Sequence, residues 1–366
     1  MKKSLIALAV LGSVAGMAQA QSSVTLYGLA DIWVGSSKSE LNGVGDRQSL
    51  VDGSGLATSR FGLKGSEDLG GGLKANFQLE QGFNIDNGTA GNATGTAGSQ
   101  AFDRQAWVGL SGGFGEVQFG KTWSSYDDIR SSANDNFNAN VAASFRTWVP
   151  YNDRPTNSFK YISPNYAGFS GSVTYGLGED KTATTSAGSL LSLGVQYANG
   201  PLFVGFAHQQ EKAGATFQPA AVDSVNDVIA ALGGTPVAAA AGTKVKYNLL
   251  NGSYDFGVVK AVAGYNQVKA TEPGVAGNLK ATEWNLGAEV PLAANLNFGL
   301  GYAQSTLEAT GTDFAKASGY TASLVYSLSK RTSVYGVLSQ AKVKDKLGLG
   351  YEAKDTLYAV GINHKF

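Results

Sequence analysis

Between residues 73 and 85 the chain alternates. Leu73, Ala75, Phe77, Leu79, Gln81, Phe83 and Ile85 fall on one side, and Lys74, Asn76, Gln78, Glu80, Gly82 and Asn84 on the other. A period of two is that of an extended strand with two unlike faces. The rhythm returns over residues 191–197, 282–292, 296–303 and 319–328, and none of these five apolar faces carries Lys, Arg, Asp or Glu. Residues 258–269 and 332–343 also read as strands, but either phase fits them.

Two further features choose among the all-β folds. Apolar faces end in aromatics, as at Tyr197, Trp284, Tyr302, Tyr320 and Tyr326, which suits the aromatic girdles of a membrane barrel. Connections also alternate in length. Short Gly/Asn/Asp/Pro turns lie at 68–72, 112–115, 198–201, 255–257 and 328–331, and long stretches at 37–58, 86–101, 122–157, 212–242 and 343–354. Short turns at one end and long loops at the other belong to a transmembrane antiparallel β-barrel. Counting between connections gives sixteen strands, the first at 24–36 and the last at 355–366. Closure satisfies every strand edge, as lipid demands. A barrel of this size is too wide for side chains to fill and holds water.

The N-terminus reads as an export signal. Met1-Lys2-Lys3 is positive, residues 5–14 are apolar, and Ala18-Gln19-Ala20 is a small-x-small site. A signal peptide over 1–20 is predicted, leaving 21–366 as the barrel domain; a membrane-anchoring helix is the alternative, but the apolar run is short for a span. Removing Lys2 and Lys3 leaves 26 basic against 28 acidic residues, a net charge of −2. That balance gives no footing for a nucleic-acid partner. With no Cys and two His in 366 residues, thiolate chemistry and Cys-ligated zinc are excluded, and no cofactor or metal is expected. Gly70-Gly71-Gly72 lacks the helix and Lys of a phosphate loop and reads as a turn. A short helix is expected over 219–232, where Val222, Val225, Val228, Ile229 and Leu232 recur at helical spacing.

The candidate chemistry lies in residues 122–157, a 36-residue stretch without alternation. It carries Asp127, Asp128, Asp135 and Asp153, Arg130, Arg146 and Arg154, and the aromatics Trp123, Tyr126, Phe137, Phe145, Trp148 and Tyr151. So many aromatics suit a loop packed against the inner wall; an ordinary external loop is the alternative. The polar faces of nearby strands offer Arg60, Lys64 and Lys74, with Arg104 a further candidate. Loop acids opposite wall bases would set a transverse field across a narrow opening, selecting ions by sign. Wall bases on a wet face need no function beyond solvation. A hydrolase would need His208 or His364, and neither is flanked by a recognisable nucleophile sequence.

Several segments together resemble the general porins of betaproteobacterial outer membranes, over essentially the whole mature length. They are SVTLYG at 23–28, SRFGLKGSEDLGGGLKA at 59–75, FQLE at 77–80, GFNI at 82–85, RQAWVGL at 104–110, Phe114-Gly115 and the terminal YAVGINHKF. The resemblance implies a homotrimer of sixteen-stranded barrels, each passing small hydrophilic solutes and ions, with the third external loop folded inward as the constriction. That loop corresponds to 122–157, and the second-strand arginine to Arg60. The terminal Phe366 corresponds to the signal read by the barrel-insertion machinery. The Pro-Glu-Phe-Gly-Gly stretch of some relatives is absent. The expected function is passive diffusion across the outer membrane, with a slight anion preference because the wall candidates are basic. A substrate-specific channel or an adhesin is the alternative.

Overall fold

The computed structural model describes residues 23–91, 101–133, 149–222, 239–274 and 278–366. The predicted signal peptide and most of the helix expected over 219–232 lie outside the described residues. The strands run β1 Ser23–Leu41, β2 Arg47–Gly53, β3 Arg60–Gly70, β4 Leu73–Gly82, β5 Gln105–Gly112, β6 Gly115–Lys121, β7 Ser158–Ile162, β8 Phe169–Leu177, β9 Ser189–Asn199, β10 Leu202–Lys212, β11 Lys244–Asp255, β12 Lys260–Thr271, β13 Leu279–Ala293, β14 Leu296–Ala309, β15 Thr312–Ser327, β16 Thr332–Asp345 and β17 Glu352–Lys365. A helix, α1 Ser125–Ser132, follows β6. Every strand is antiparallel to its neighbours, and β1 pairs with β17, so the sheet closes.

Seventeen segments make sixteen wall positions, because β2 and β3 pair with successive halves of β1 and together form one interrupted strand. The interruption is fastened by Asp31. Its carboxylate accepts hydrogen bonds from the backbone N–H groups of Gly55 (2.8 Å), Leu56 (3.0 Å) and Ala57 (3.1 Å). It also accepts from the Tyr335 hydroxyl of β16 (2.6 Å) and the Asn363 amide of β17 (2.8 Å). A fully buried carboxylate is tolerable with that many donors. It ties the first strand, the last two and the break in the second into one seam. Phe366 completes the closure through a reciprocal pair of 3.0 Å backbone bonds with Gly28.

The wall is turned inside out relative to a soluble protein. Leu26, Val34, Phe61, Val108, Phe119, Val195, Phe206, Leu250, Leu286, Leu300, Leu324 and Val360 are exposed. On the other face Thr174, Ser192, Gln209, Asn266, Ser305, Thr321, Ser339 and Asn363 are buried. Each large aliphatic left in water forgoes about 1.5–3 kcal/mol, so a continuous band of them calls for lipid as its solvent.

Two expected loops are shorter than the hydrophobic pattern suggests. The stretch 37–58 holds the end of β1 and all of β2, and 343–354 shortens because β16 reaches Asp345 and β17 begins at Glu352. Apolar alternation stops where the lipid stops, but backbone pairing continues above it. There Lys38, Glu40, Lys342, Glu352 and Lys354 form a ladder of ion pairs. At the opposite end, Gly70, Gly71 and Gly72 all have positive φ (85°, 60° and 81°). Asp68 accepts the Gly70 N–H at 2.8 Å. This is turn chemistry, not a phosphate cradle.

Candidate constriction site

Helix α1 begins at the N-cap Ser124, whose hydroxyl accepts from the Asp127 N–H at 3.2 Å. Asp127 and Asp128 occupy its first turn and Arg130 its last, the arrangement that complements the helix dipole. The helix rests on the polar face of β8 to β11, opposite the exposed Leu193 and Phe206. Tyr126 N–H donates to Ser192 Oγ (2.8 Å), Ser125 Oγ lies 2.9 Å from Thr174 Oγ1, and Asn251 Nδ2 donates to the Ile129 carbonyl (2.8 Å). The fully buried Tyr126 ring packs edge-on against Tyr151 at 4.6 Å, and its hydroxyl donates to Asn266 Oδ1 at 2.9 Å. Gly194 and Gly205 permit this approach. A Cβ at Gly194 would fall 2.7 Å from the Ser125 carbonyl, and one at Gly205 would fall 2.6 Å from Ile129 Cγ2.

The returning limb is held by carboxylates. Glu283 accepts the Val149 N–H at 3.0 Å, and Glu211 the Asn152 N–H at 2.7 Å. Tyr247 donates its hydroxyl to the Pro150 carbonyl at 2.9 Å, and Gln209 Nε2 donates to that of Asn152 at 3.0 Å. Loop backbone groups that would otherwise be buried without partners are thus satisfied by wall side chains. The largest buried apolar cluster among the described residues gathers here, from Tyr126, Ile129, Val149, Val245, Tyr247 and Leu249.

The candidate charges fall into three groups. Asp127 is buried and accepts from the Tyr151 hydroxyl. Burial, reinforced by Asp153, pushes its carboxyl up to about 6, with Arg130 opposing the shift. Arg130 sits over the Tyr151 ring at 5.9 Å. Asp128 forms an ion pair with Lys160 of β7. The second group is basic. Arg104 bonds Glu80 at 2.7 Å, Arg60 reaches the same carboxylate at 3.5 Å, and Arg60 Nη1 donates to the Thr58 carbonyl at 3.0 Å. The Arg154 guanidinium lies 3.7 Å from the Trp123 ring centroid and 2.9 Å from Asp153, and Arg104 stands 5.6 Å from the same ring. Arg60, Arg104 and Arg154 therefore converge on Glu80 and Trp123, so the loop contributes a base to the basic side as well as acids of its own.

The third group stands apart. Lys64 lies 5.3 Å from the Tyr27 ring, and Tyr27 in turn donates to Glu80 at 3.0 Å. Lys74 pairs with Asp68 and Ser111 at the short-turn end, six residues and roughly 20 Å along the strand from Glu80. Asp135 and Arg146 lie outside the described residues. Sequence reasoning passed over Glu80, Lys160, Glu211 and Glu283. Glu80 was within reach, since it shares the polar face of Lys74, Asn76 and Gln78. Lys160 sits in a five-residue strand too short to show a period.

For the hydrolase reading, His208 Nδ1 meets Asn248 Oδ1 and His364 Nδ1 meets Thr332 Oγ1, each at 2.9 Å. No group of His, Asp and Glu suited to a metal occurs among the described residues.

The family model described as Gram-negative porin matches residues 7–346. Outer membrane porin protein 32 of Delftia acidovorans is 36% identical, over 99% of this chain and 95% of its own length. An outer membrane porin protein of Bordetella pertussis is 30% identical, over 100% of both chains. Among solved structures, an anion-selective porin from Comamonas acidovorans superposes with a TM-score of 0.75 at 30% identity, covering 94% of this chain and 100% of that one. A trimer form of OmpT from Vibrio cholerae shares the fold at 17% identity and a TM-score of 0.67, covering 94% of this chain and 99% of that one. The family model and the porins of Delftia, Bordetella and Comamonas, with the closed antiparallel barrel, give the conclusion that this chain belongs to the Gram-negative porin family.

Proposed function

We propose that the protein is a water-filled channel of the outer membrane, passing ions and small hydrophilic solutes down their gradients, with a modest preference for anions. Export by a cleaved signal peptide over 1–20, assembly as a homotrimer in outer-membrane lipid, and insertion through the terminal Phe366 complete the reading. Helix α1 and the limb 149–157 narrow the lumen, and the basic cluster stands beside the narrowed path. The observation that carries the anion preference is the convergence of Arg60, Arg104 and Arg154 on Glu80 and Trp123. One surplus charge about 5 Å from a passing ion in water-like surroundings is worth about 0.8 kcal/mol, roughly a fourfold bias. Glu80 and Asp153 offset two of the three guanidinium charges, and of the remaining loop acids Asp128 pairs with Lys160 and Asp127 is buried. The relative described as anion-selective supports the same sign.

A sugar-specific channel would present a ladder of exposed aromatics. Here Tyr126, Tyr151 and Tyr247 pack on one another, and Trp123 is covered by Arg154. Planar-bilayer recording tests the channel: purified protein inserts with stepwise conductance increments, and folded protein that gives none contradicts the reading.

A further inference from the structure

On the outer face of β11 to β13, at the long-loop end, the register sets three lysines side by side. Lys246 is opposite Lys269, and Lys269 opposite Lys280. Each shares its face with exposed apolar residues lower on the same strand: Leu250 below Lys246, Tyr265 below Lys269, Leu286 below Lys280. All three therefore point toward lipid rather than into the lumen. Lys269 is four residues above Tyr265, roughly 13 Å along the strand. If Tyr265 marks the aromatic girdle, the row lies at headgroup height on the outer leaflet.

Like charges directly opposite one another on adjacent strands repel, and this row is poorly compensated. Among the described residues its ion pair is Lys280 with Glu308, at 3.4 Å. Three lysines against one glutamate leave two positive charges in excess, with Lys244 two residues above Lys246 on the same face. A second cluster at the long-loop end, on β16, β17 and β1, differs. There Lys342 and Lys344 both hold Glu352 (2.6 and 2.8 Å), and Lys354 reaches Glu40 (3.5 Å). Each of those lysines holds a carboxylate, whereas Lys246 and Lys269 hold none among the described residues.

We infer that the Lys246–Lys269–Lys280 row docks a phosphate-bearing lipid headgroup of the outer leaflet, whose acyl chains lie on the apolar band beneath. Phosphate supplies the missing negative charge and accepts several ammonium hydrogen bonds at once. The adjacent apolar face points to a lipid rather than a soluble anion. The inference rests on the outer-membrane reading.

The test uses the whole folded protein in detergent, native mass spectrometry, and lipid A with both phosphates or after phosphatase treatment. The wild type retains the phosphorylated lipid. The triple variant Lys246→Gln/Lys269→Gln/Lys280→Gln retains it at least tenfold less. The Lys→Arg triple binds like wild type, and Lys342→Gln/Lys344→Gln/Lys354→Gln changes retention less than twofold. Equal retention by the first triple, equal retention of the dephosphorylated lipid, or displacement by millimolar inorganic phosphate overturns the assignment. If the Gln triple fails to fold, failure of the Arg triple to bind does the same. Bilayer conductance of the Gln triple separates the two readings. It stays at the wild-type value when the channel reading holds, whatever the fate of the lipid site.

Discussion

The wall that carries the loop and the wall beside the arginines use charge in opposite ways. On β8 to β13 the polar side chains are committed to structure: Thr174, Ser192 and Asn251 fasten α1, and Glu211 and Glu283 hold backbone N–H groups of the returning limb. On β3 to β5 one acid, Glu80, is shared between Arg60 and Arg104, and the loop adds Arg154 nearby. A carboxylate with backbone donors is an anchor, whereas one outnumbered by guanidinium groups leaves a positive remainder. Residue type alone does not separate these roles; the count and kind of partners does.

The largest effect is expected from breaking the anchoring side. Tyr126→Ala deletes a fully buried ring and its bond to Asn266, a truncation that costs about 3–5 kcal/mol. The barrel should keep its heat-resistant electrophoretic mobility while single-channel conductance rises at least about 1.5-fold as α1 leaves the wall. Unchanged conductance in a folded barrel would mean that α1 does not narrow the path.

Next come the two sides of the basic cluster. Arg104→Ala leaves Glu80 with Arg60 at 3.5 Å and should shift the reversal potential in a salt gradient toward cations. Glu80→Gln should shift it toward anions. Each shift corresponds to a few-fold change in permeability ratio, about the bias of one charge. Movement in the same direction would break the contrast between the walls.

A smaller effect follows from pH. Burial and Asp153 hold the Asp127 carboxyl at about 6, above its ordinary range. The fold therefore favours the protonated form. As pH falls from 7.5 to 5 the docked loop takes up a proton that a released loop would not bind until nearer 4, so docking tightens rather than loosens. The same step removes one negative charge, so anion preference should rise modestly. Asp127→Asn should flatten that dependence. The smallest effect is expected at Lys74, remote from the cluster: Lys74→Ala should move the reversal potential by less than about a tenth of the Arg104→Ala shift.

The barrel was legible because lipid imposes its demand at every second residue, as at Leu73 to Ile85 and Leu296 to Tyr302. It became illegible where the demand lapsed, which is why the water-exposed end of β1 read as loop; β2, whose Val51 lies opposite the lipid-facing Val34, is seven residues long with Leu50 and Val51 adjacent, too short and mixed to show a period. The stretch 122–157 could be singled out from its aromatics and its lack of alternation. Its docking could not, because the receiving groups, Ser192, Asn251, Asn266 and Glu283, look like any residues on a wet face until the register brings them to α1. Arg60 and Arg104 were visible as wall bases. Their shared Glu80, and the capture of Asp128 by Lys160, depend on the closure of strands distant in sequence. Asp31 gave one faint sign, as an acid between Leu29 and Trp33 on the same face of β1.

The most direct test is the reversal potential of the purified wild-type protein in a planar bilayer under a tenfold KCl gradient, compared with the Arg60→Ala/Arg104→Ala double variant. The expected result is a wild-type potential of the sign set by chloride that collapses toward zero in the double variant. A wild-type potential of the sign set by potassium, or one the double variant leaves unmoved, would contradict the assignment of selectivity to this cluster.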